Sequence, residues 1–403
     1  MKLCLCCHTP TVELLRDYGP HPICNRYRSD AMADEFVHPM QIGQCRSCGL
    51  VQMLDPVPAS ELVPAVDWIT YNEPEGHLDR VAETLASLPG LTSGSVFGGV
   101  SFKDDTLLAR MQRRGFATWR LNLRDDLGVT RNGCGVETIQ ARLNVERAGK
   151  IAAQRGGADV VIARHILEHA YDLRGFLAAV RALARSDGYV VLEVPDCTPA
   201  FDKHDITTLW EEHIAYFTPA TFRNAVTTGG AALYRYECHP YPFENCLVAV
   251  TQSPSDKPPE TPAAGILVAE LKRASSFTAS LPERRKSLRD FLTRFRRDQG
   301  KVAIFGAGHL ACTWIHLLGL GDLAEFVADD NPHKQGLLLP GSRLQIRGSA
   351  SLLKEDIKLV LLSVNPEAET KVIAKNRAFT DRGGIFASIF PASQYSIANV
   401  FKS

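Results

Sequence analysis

Asp159-Val-Val-Ile-Ala-Arg-His-Ile-Leu-Glu-His169 places an unbroken apolar run directly before charge and imidazole. An apolar stretch this short, without alternation, reads as a strand buried on both faces. Its neighbours repeat the theme. Gly94 to Val100 reads as a strand and Thr106 to Gly115 as a helix, with a second strand at Ala117 to Leu121. A helix near Leu173 to Ala184 and a strand at Gly188-Tyr-Val-Val-Leu-Glu193 follow. Short apolar runs alternating with amphipathic stretches indicate βα units around a parallel sheet, so residues 76–252 form one Rossmann-like α/β domain.

The chain then changes character. Residues 253–263, with Pro254, Pro258, Pro259 and Pro262 among acidic residues, read as a linker. Ala264 to Asp298 carries long helical periodicity with arginines on its polar face. Lys301-Val-Ala-Ile-Phe-Gly306-Ala-Gly308-His-Leu-Ala311 reads as a strand, a glycine turn and a helix. An acid follows about 20 residues later, in Glu325-Phe-Val-Ala-Asp329-Asp330. Further strands are expected at Leu359 to Ser363 and Gly384 to Ser388, which makes 264–403 a helical segment plus a second, smaller Rossmann-like domain. Gly306, Gly308 and His309 open a helix N-terminus suited to an anionic phosphate, with Asp329 and Lys334 close by. A nicotinamide dinucleotide with Asp329 or Asp330 on its ribose is one reading of this turn, and a purely structural scaffold is another.

The first 75 residues read as a metal module. Cys4-Leu-Cys-Cys7 and Cys45-Arg-Ser-Cys48 each hold two thiols with two residues between them, and 37 residues separate the pairs. Two such turns supply the four ligands of a closed, structural zinc site: Cys4, Cys7, Cys45 and Cys48. Cys6 is an alternative to Cys4 or Cys7, and Cys24 and His8 are spare ligands. A metal would fix a segment too polar for a large core.

Forty-five basic and forty-five acidic residues leave no net charge, against a dedicated nucleic-acid surface. No apolar run reaches the ~20 residues of a membrane span, and the start lacks a secretory h-region. Eleven cysteines without an export signal fit a reducing compartment. The expectation is a cytoplasmic protein with a small-molecule partner and neither nucleic acid nor membrane.

Together these segments resemble the sugar C-methyltransferases of deoxysugar biosynthesis. The resemblance runs through Cys45-Arg-Ser-Cys48-Gly-Leu-Val-Gln52, Asp159 to His169, Leu192-Glu-Val-Pro195, Trp210-Glu-Glu-His213-Ile-Ala-Tyr-Phe217, Asp329-Asp-Asn-Pro-His-Lys334-Gln-Gly336 and Pro340-Gly341. It implies an N-terminal zinc module, a class I methyltransferase domain binding S-adenosylmethionine, and a C-terminal domain contacting a nucleotide sugar through Gly306, Gly308, His309, Asp329 and Lys334. His213 is then the general base for proton removal beside a sugar ketone, oriented by Glu212 or Glu211. The resemblance places Tyr71 where a phenol comes towards the sugar, and His169, following a strand's carboxyl end where ligands of open α/β sheets gather, is a candidate for the substrate pocket.

The donor motif departs from the family. The usual turn resembles Glu-Ile-Gly-Ser-Asn-Asp-Gly, whereas this chain has Gly98-Gly-Val-Ser101-Phe-Lys-Asp104-Asp105. Ser101 and Asp105 stand at glycine positions, where a Cβ is expected to strain the turn. Asn122 replaces the acid that grips the ribose, with Asp125 or Asp126 as substitutes. Gly98, Gly99, Ser101, Asp104 and Asn122 are the candidate donor residues. Trp210 stands where the family has a tyrosine. The alternatives to methyl transfer are a nucleotide-sugar binding partner that has lost its donor, and a donor-independent isomerase or epimerase. His165-Ile-Leu-Glu168-His169 also fits an inverted HxxEH zinc-protease spacing, set aside because it follows a buried strand instead of lying within a helix.

Overall fold

The buried run around Val161 becomes the central strand of a six-stranded sheet. The computed structural model describes residues 2–66, 68–69, 73–130, 134–252 and 262–401. The chain divides into two units. The first comprises Met1–Leu14, Ile42–Thr198 and Glu212–Lys272, and the second Leu15–Gln41, Pro199–Glu211 and Arg273–Ser403.

The first ten strands are β1 (Val12–Pro22), β2 (Val37–Cys45), β3 (Val51–Met53), β4 (Val96–Gly99), β5 (Ala117–Arg120), β6 (Ala158–Arg164), β7 (Ala184–Asp196), β8 (Ala215–Tyr216), β9 (Ala232–His239) and β10 (Asn245–Gln252). The large sheet has the order β5-β4-β6-β7-β10-β9. Its first four strands are parallel, and β10 pairs antiparallel with both β7 and β9. The closing antiparallel hairpin was not legible among the βα units.

Strand alternation builds two cores. Val160 and Ile162 face the helices Leu78–Ala86 and Asp105–Arg113, packing with Val81, Leu85, Leu107 and Met111. Val161 and Ala163 face Ile139, Ile151, Phe176 and Val180 on the other side. Both faces of β6 are therefore apolar, and its sequence needs no alternation. The chain leaves β4 for β5 on one side and crosses back to β6 on the other. That reversal is a topological switch point, and open α/β sheets gather ligands at the carboxyl ends of strands placed like β4 and β6.

A smaller sheet has the order β1-β2-β3-β8. Its last pairing, Val51 with Tyr216, brings the segment after His213 onto the cysteine module's strand.

In the second unit, β11 (Lys301–Phe305), β12 (Val327–Ala328), β13 (Ile346–Arg347), β14 (Ile357–Leu362) and β15 (Ile385–Ser388) form a parallel sheet ordered β13-β12-β11-β14-β15. The helical stretch expected over 264–298 is two helices, Ala264–Ala279 and Leu281–Asp298. Pro282 sits in the first turn of the second helix, where a missing N–H is tolerated. The fold class is α/β throughout, with a four-cysteine module at the N-terminal end. Among the described residues, no helix is long and apolar enough to cross a membrane.

Candidate functional site

The two cysteine turns are built alike. His8 N–H donates to the Cys4 carbonyl at 3.0 Å, and Gly49 N–H to the Cys45 carbonyl at 2.9 Å. Within each turn an amide points at the first sulfur: Cys6 N–H to Cys4 Sγ and Ser47 N–H to Cys45 Sγ, both 3.4 Å. Each turn closes on a residue of positive φ, Gly49 at 82° and His8 at 57°. Glycine meets that requirement freely, and His8 takes it at a cost. His8 thus serves the turn's geometry and is absent from the sulfur cluster. Cys4, Cys7, Cys45 and Cys48 bring four sulfurs within 4.8 Å of one another. Cys4–Cys48 and Cys7–Cys45 are each 3.5 Å apart. Zinc–sulfur bonds of about 2.3 Å at tetrahedral angles place sulfurs about 3.8 Å apart, so the set fits zinc. Cys6 stays outside this mutual set, with its sulfur beside Cys48 and 3.6 Å from Thr228 Oγ1. Cys24, the other spare ligand, lies in the second unit beside His21 and Thr313.

At the carboxyl end of β6, the backbone turns sharply at His165 (φ 46°) and enters a short 3-10 turn, Leu167–His169. Ile214 N–H donates to the Glu168 carbonyl at 2.7 Å, and Met53 N–H to the Ile214 carbonyl at 2.8 Å. These bonds press the Glu212–His213 segment against the turn. The His169 and His213 rings meet edge to face at 4.9 Å. Glu137, in the first turn of the helix Val136–Arg142, approaches His169 Nδ1 with Oε1 at 2.8 Å. Glu137, His169 and Glu212 each bring a ligand atom within 4.8 Å of the others, as do Glu168, His169 and His213. Glu137, Glu168, His169 and Glu212 are buried, while His213 is half-buried.

Three of the candidate catalytic residues, His169, Glu212 and His213, therefore converge in space. Glu211 does not join them. It belongs to the second unit, accepts the Cys24 N–H at 2.6 Å and lies 3.7 Å from His21 Nε2. Tyr71 lies outside the described residues. Glu137, which the sequence reading missed, precedes His169 by 32 positions with no motif to connect them.

Behind this cluster lies a buried ionic network. Arg164 grips Glu193 through Nε at 2.8 Å and Nη2 at 3.0 Å, and donates to the Lys103 carbonyl at 2.7 Å. His165 Nε2 lies 2.9 Å from Glu193 Oε1. Burial opposes charge on His165, but Glu73, Glu168 and Glu193 outweigh it and raise its pKa well above the ordinary value. Burial likewise opposes charge on Glu193, yet Arg164, His165 and His77 hold it well below the usual carboxylate range. Lys103 is ion-paired with Glu73.

Residues 4–62 match a zinc binding domain, 107–235 a methyltransferase domain, and 264–391 a C-methyltransferase C-terminal domain. Over 404 aligned positions the chain is 23% identical to C-methyltransferase NovU of Streptomyces niveus, covering 96% of this chain and 94% of that protein. The chain belongs to this family of C-methyltransferases. Among solved structures it is similar to the 1,6-didemethyltoxoflavin-N1-methyltransferase of Burkholderia thailandensis (13% identity, 45% of this chain and 80% of that one, TM-score 0.31). It is also similar to the magnesium protoporphyrin IX methyltransferase of Synechocystis PCC 6803 (16% identity, 43% and 80%, TM-score 0.30).

A C-methyltransferase needs a methyl donor, and the donor turn can be tested for fit. Ser101 has φ −136° and Asp105 φ −55°. Neither sits in the left-handed region, so the strain expected at these two positions is absent. Ser101 caps the short turn Phe102–Asp104 by accepting the Lys103 N–H, while Asp104 accepts the Val100 and Ser101 amides at 2.8 and 2.7 Å and the Arg164 N–H at 2.8 Å. A Cβ on Gly98 would strike the Trp119 indole at 2.5 Å, and one on Gly99 would strike Leu108 at 2.7 Å. Both glycines make room for the chain's own side chains. At the end of β5, exposed Asn122 turns its carbonyl oxygen to the Arg124 and Asp125 amides, both 2.9 Å. Asp126 accepts from Asn122 N–H and Arg155, each at 2.6 Å. With these amides and acceptors already engaged and no ribose acid at Asn122, the turn does not fit a conventional S-adenosylmethionine site.

In the second unit the glycine turn follows β11. Gly306 adopts φ 102°, a conformation that favours glycine, and a Cβ there would meet Val364 at 2.7 Å. A Cβ on Gly308 would meet nothing within 4 Å. Asp329 accepts the Ala307 N–H at 2.9 Å, the Asn331 N–H at 2.9 Å and the Lys334 ammonium at 3.1 Å. It braces the turn instead of awaiting a ribose. Lys334 also donates to the Ala307 carbonyl at 2.8 Å. His309, first residue of the following helix, stacks on Trp210 at 4.4 Å.

Proposed function

We propose that this C-methyltransferase relative acts on a nucleotide-linked keto sugar, with His213 removing a proton from the carbon next to the ketone. That step precedes carbon methylation. The observation that carries it is the convergence of half-buried His213 with His169 and Glu212 at the sheet's switch point. An imidazole is suited to taking up a proton around neutral pH, and neighbouring carboxylates stabilise the imidazolium that forms. The nucleotide part of the reading draws support from the second unit, where Gly308 leaves open space at a helix N-terminus beside the Lys334 ammonium. Zinc in the four-cysteine module is structural, since a tetrathiolate set leaves no open position.

A second reading is enolisation without a methyl donor, as in an epimerase or isomerase. The engaged donor turn and the absent ribose acid favour it. One experiment separates the readings: α-proton exchange of nucleotide-linked keto sugars in deuterated water, with and without S-adenosylmethionine, followed by NMR and mass spectrometry. Exchange accompanied by a mass gain of one methyl group supports methyl transfer. Exchange unaffected by the donor, with no methyl gained, supports the second reading. No exchange with any nucleotide-linked keto sugar rejects both.

A further inference from the structure

We propose that His21, Cys24 and Glu211 in the second unit hold one zinc ion, separate from the zinc of the cysteine module. His21 and Cys24 are spaced as the two cysteine turns are, with two residues between the ligands. His21 lies near the end of β1 and Cys24 just beyond it, while Glu211 arrives 187 positions after Cys24. All three belong to the second unit. Their ligand atoms lie within 4.8 Å of one another, and the residues are 1%, 0% and 2% exposed.

The separations are those of ligands sharing an ion. His21 Nε2 stands 3.6 Å from Cys24 Sγ and 3.7 Å from Glu211 Oε2. Zinc bonds of about 2.3 Å to sulfur and about 2.1 Å to nitrogen and oxygen, at tetrahedral angles, set these distances at about 3.6 and about 3.4 Å. A hydrogen bond would instead draw Glu211 Oε2 to about 2.9 Å from the ring nitrogen. His21 Nδ1, also buried, has no hydrogen-bond partner among the described residues. Neither ring nitrogen therefore has a nitrogen or oxygen at hydrogen-bond distance among those residues, whereas buried polar atoms normally do. The carboxylate is aimed: Glu211 Oε1 accepts the Cys24 N–H at 2.6 Å, which leaves Oε2 on the histidine side.

Donor chemistry selects the metal. One thiolate, one imidazole and one carboxylate suit zinc, whereas Ca2+ and Mg2+ favour oxygen shells. A dication with one thiolate and one carboxylate carries no net charge, so the filled site can be sealed from water without stranding a charge. Filled, it cross-links the end of β1 to the segment ending at Glu211, two stretches far apart in sequence. The site stands independently of the enolisation reading. Its rival is a disulfide, because Cys312 sits beside Cys24 and outside the three-ligand set.

The test uses full-length protein purified without chelator, supplied with Zn2+ and then freed of loose metal. Elemental analysis should give two zinc ions per chain in wild type, and one in Cys24→Ser and in Glu211→Gln. Competition with a chromophoric chelator should show the second site of either variant weakened by at least the roughly 10–100-fold that losing even an outer-shell partner costs. X-ray absorption at the zinc edge of wild type should show about 2.5 sulfurs per zinc, the mean of a four-sulfur and a one-sulfur shell. That measurement decides should a variant fail to fold. One zinc per wild-type chain, with about four sulfurs around it, overturns the proposal. So does a folded Cys24→Ser or Glu211→Gln protein that retains both ions as tightly as wild type, or a Cys24–Cys312 disulfide found by peptide mass spectrometry in the protein as purified.

Discussion

Replacing Glu193 by glutamine should be among the most damaging single changes to the first unit. Arg164 and Glu193 are each 1% exposed. The carboxylate accepts two bonds from the Arg164 guanidinium, at 2.8 and 3.0 Å, approaches His165 Nε2 at 2.9 Å and lies 3.3 Å from His77 Nε2. Glutamine keeps the shape, removes the charge, and turns an amide donor towards cations. Breaking a buried pair by removing one partner typically costs about 3–5 kcal/mol, because the remaining charge stays buried and uncompensated. Arg164 keeps its bond to the Lys103 carbonyl, which softens the loss and sets the expectation near 3 kcal/mol. The assay is urea unfolding followed by circular dichroism, reading the transition that belongs to the first unit. Arg164→Met should cost a similar amount, and Arg164→Met with Glu193→Gln less than the sum of the single changes, since the guanidinium is then no longer stranded. A Glu193→Gln transition within ~0.5 kcal/mol of wild type, or strictly additive single and double variants, would refute the reasoning.

Three further outcomes are expected. Cys45→Ser with Cys48→Ser should eliminate the cysteine-bound zinc by elemental analysis, whereas Cys6→Ser should keep it, because Cys6 lies outside the sulfur cluster. Burial lifts Asp104 to about 7 against the amide bonds from Ser101, Arg164 and Val100. The folded protein therefore holds a proton that the unfolded chain releases above pH ~4, so stability from this group falls as pH rises from ~4 to about 7. Asp104→Asn should flatten that portion of the pH profile in chemical denaturation. Calorimetry with S-adenosylmethionine should show weak or no binding by the unaltered chain, and Asn122→Asp should strengthen it by restoring an acid at the end of β5; tight binding by wild type would show that other residues supply the donor site.

What could be read from the sequence follows from how locally each feature is encoded. β6 and β11 were legible because Val160–Ala163 and Val302–Phe305 are continuous apolar runs set between polar residues. The four cysteines were legible because each pair closes its own turn. The β9–β10 hairpin was missed because the buried face of β10 looks like any parallel strand, and its direction is set only by its partner, Val248 opposite Glu193. The break at Ser280 was hidden because Pro282 is tolerated in a helix's first turn. Of the candidate site, His213 and Glu212 were named through family resemblance and His169 through its place after a strand's carboxyl end. Glu137 was not, since it reaches His169 only when the helix Val136–Arg142 docks against the loop after β6. Arg164 and Glu193 read as ordinary charges at strand ends, although tertiary packing seals both from water. Ser101 shows the opposite error: a predicted strain disappears because its hydroxyl and Asp104 cap the turn in ordinary backbone geometry.

The central claim is that His213 takes a proton from carbon. Its most direct test is exchange of the α-proton of a nucleotide-linked keto sugar with deuterated water, comparing wild type with His213→Asn. Asparagine keeps similar size and hydrogen bonding but cannot serve as a base near neutral pH. General-base assistance is typically worth ~10²–10⁴ in rate, so exchange should fall by that factor while circular dichroism and zinc content stay unchanged. Exchange that proceeds in His213→Asn at the wild-type rate would contradict the account.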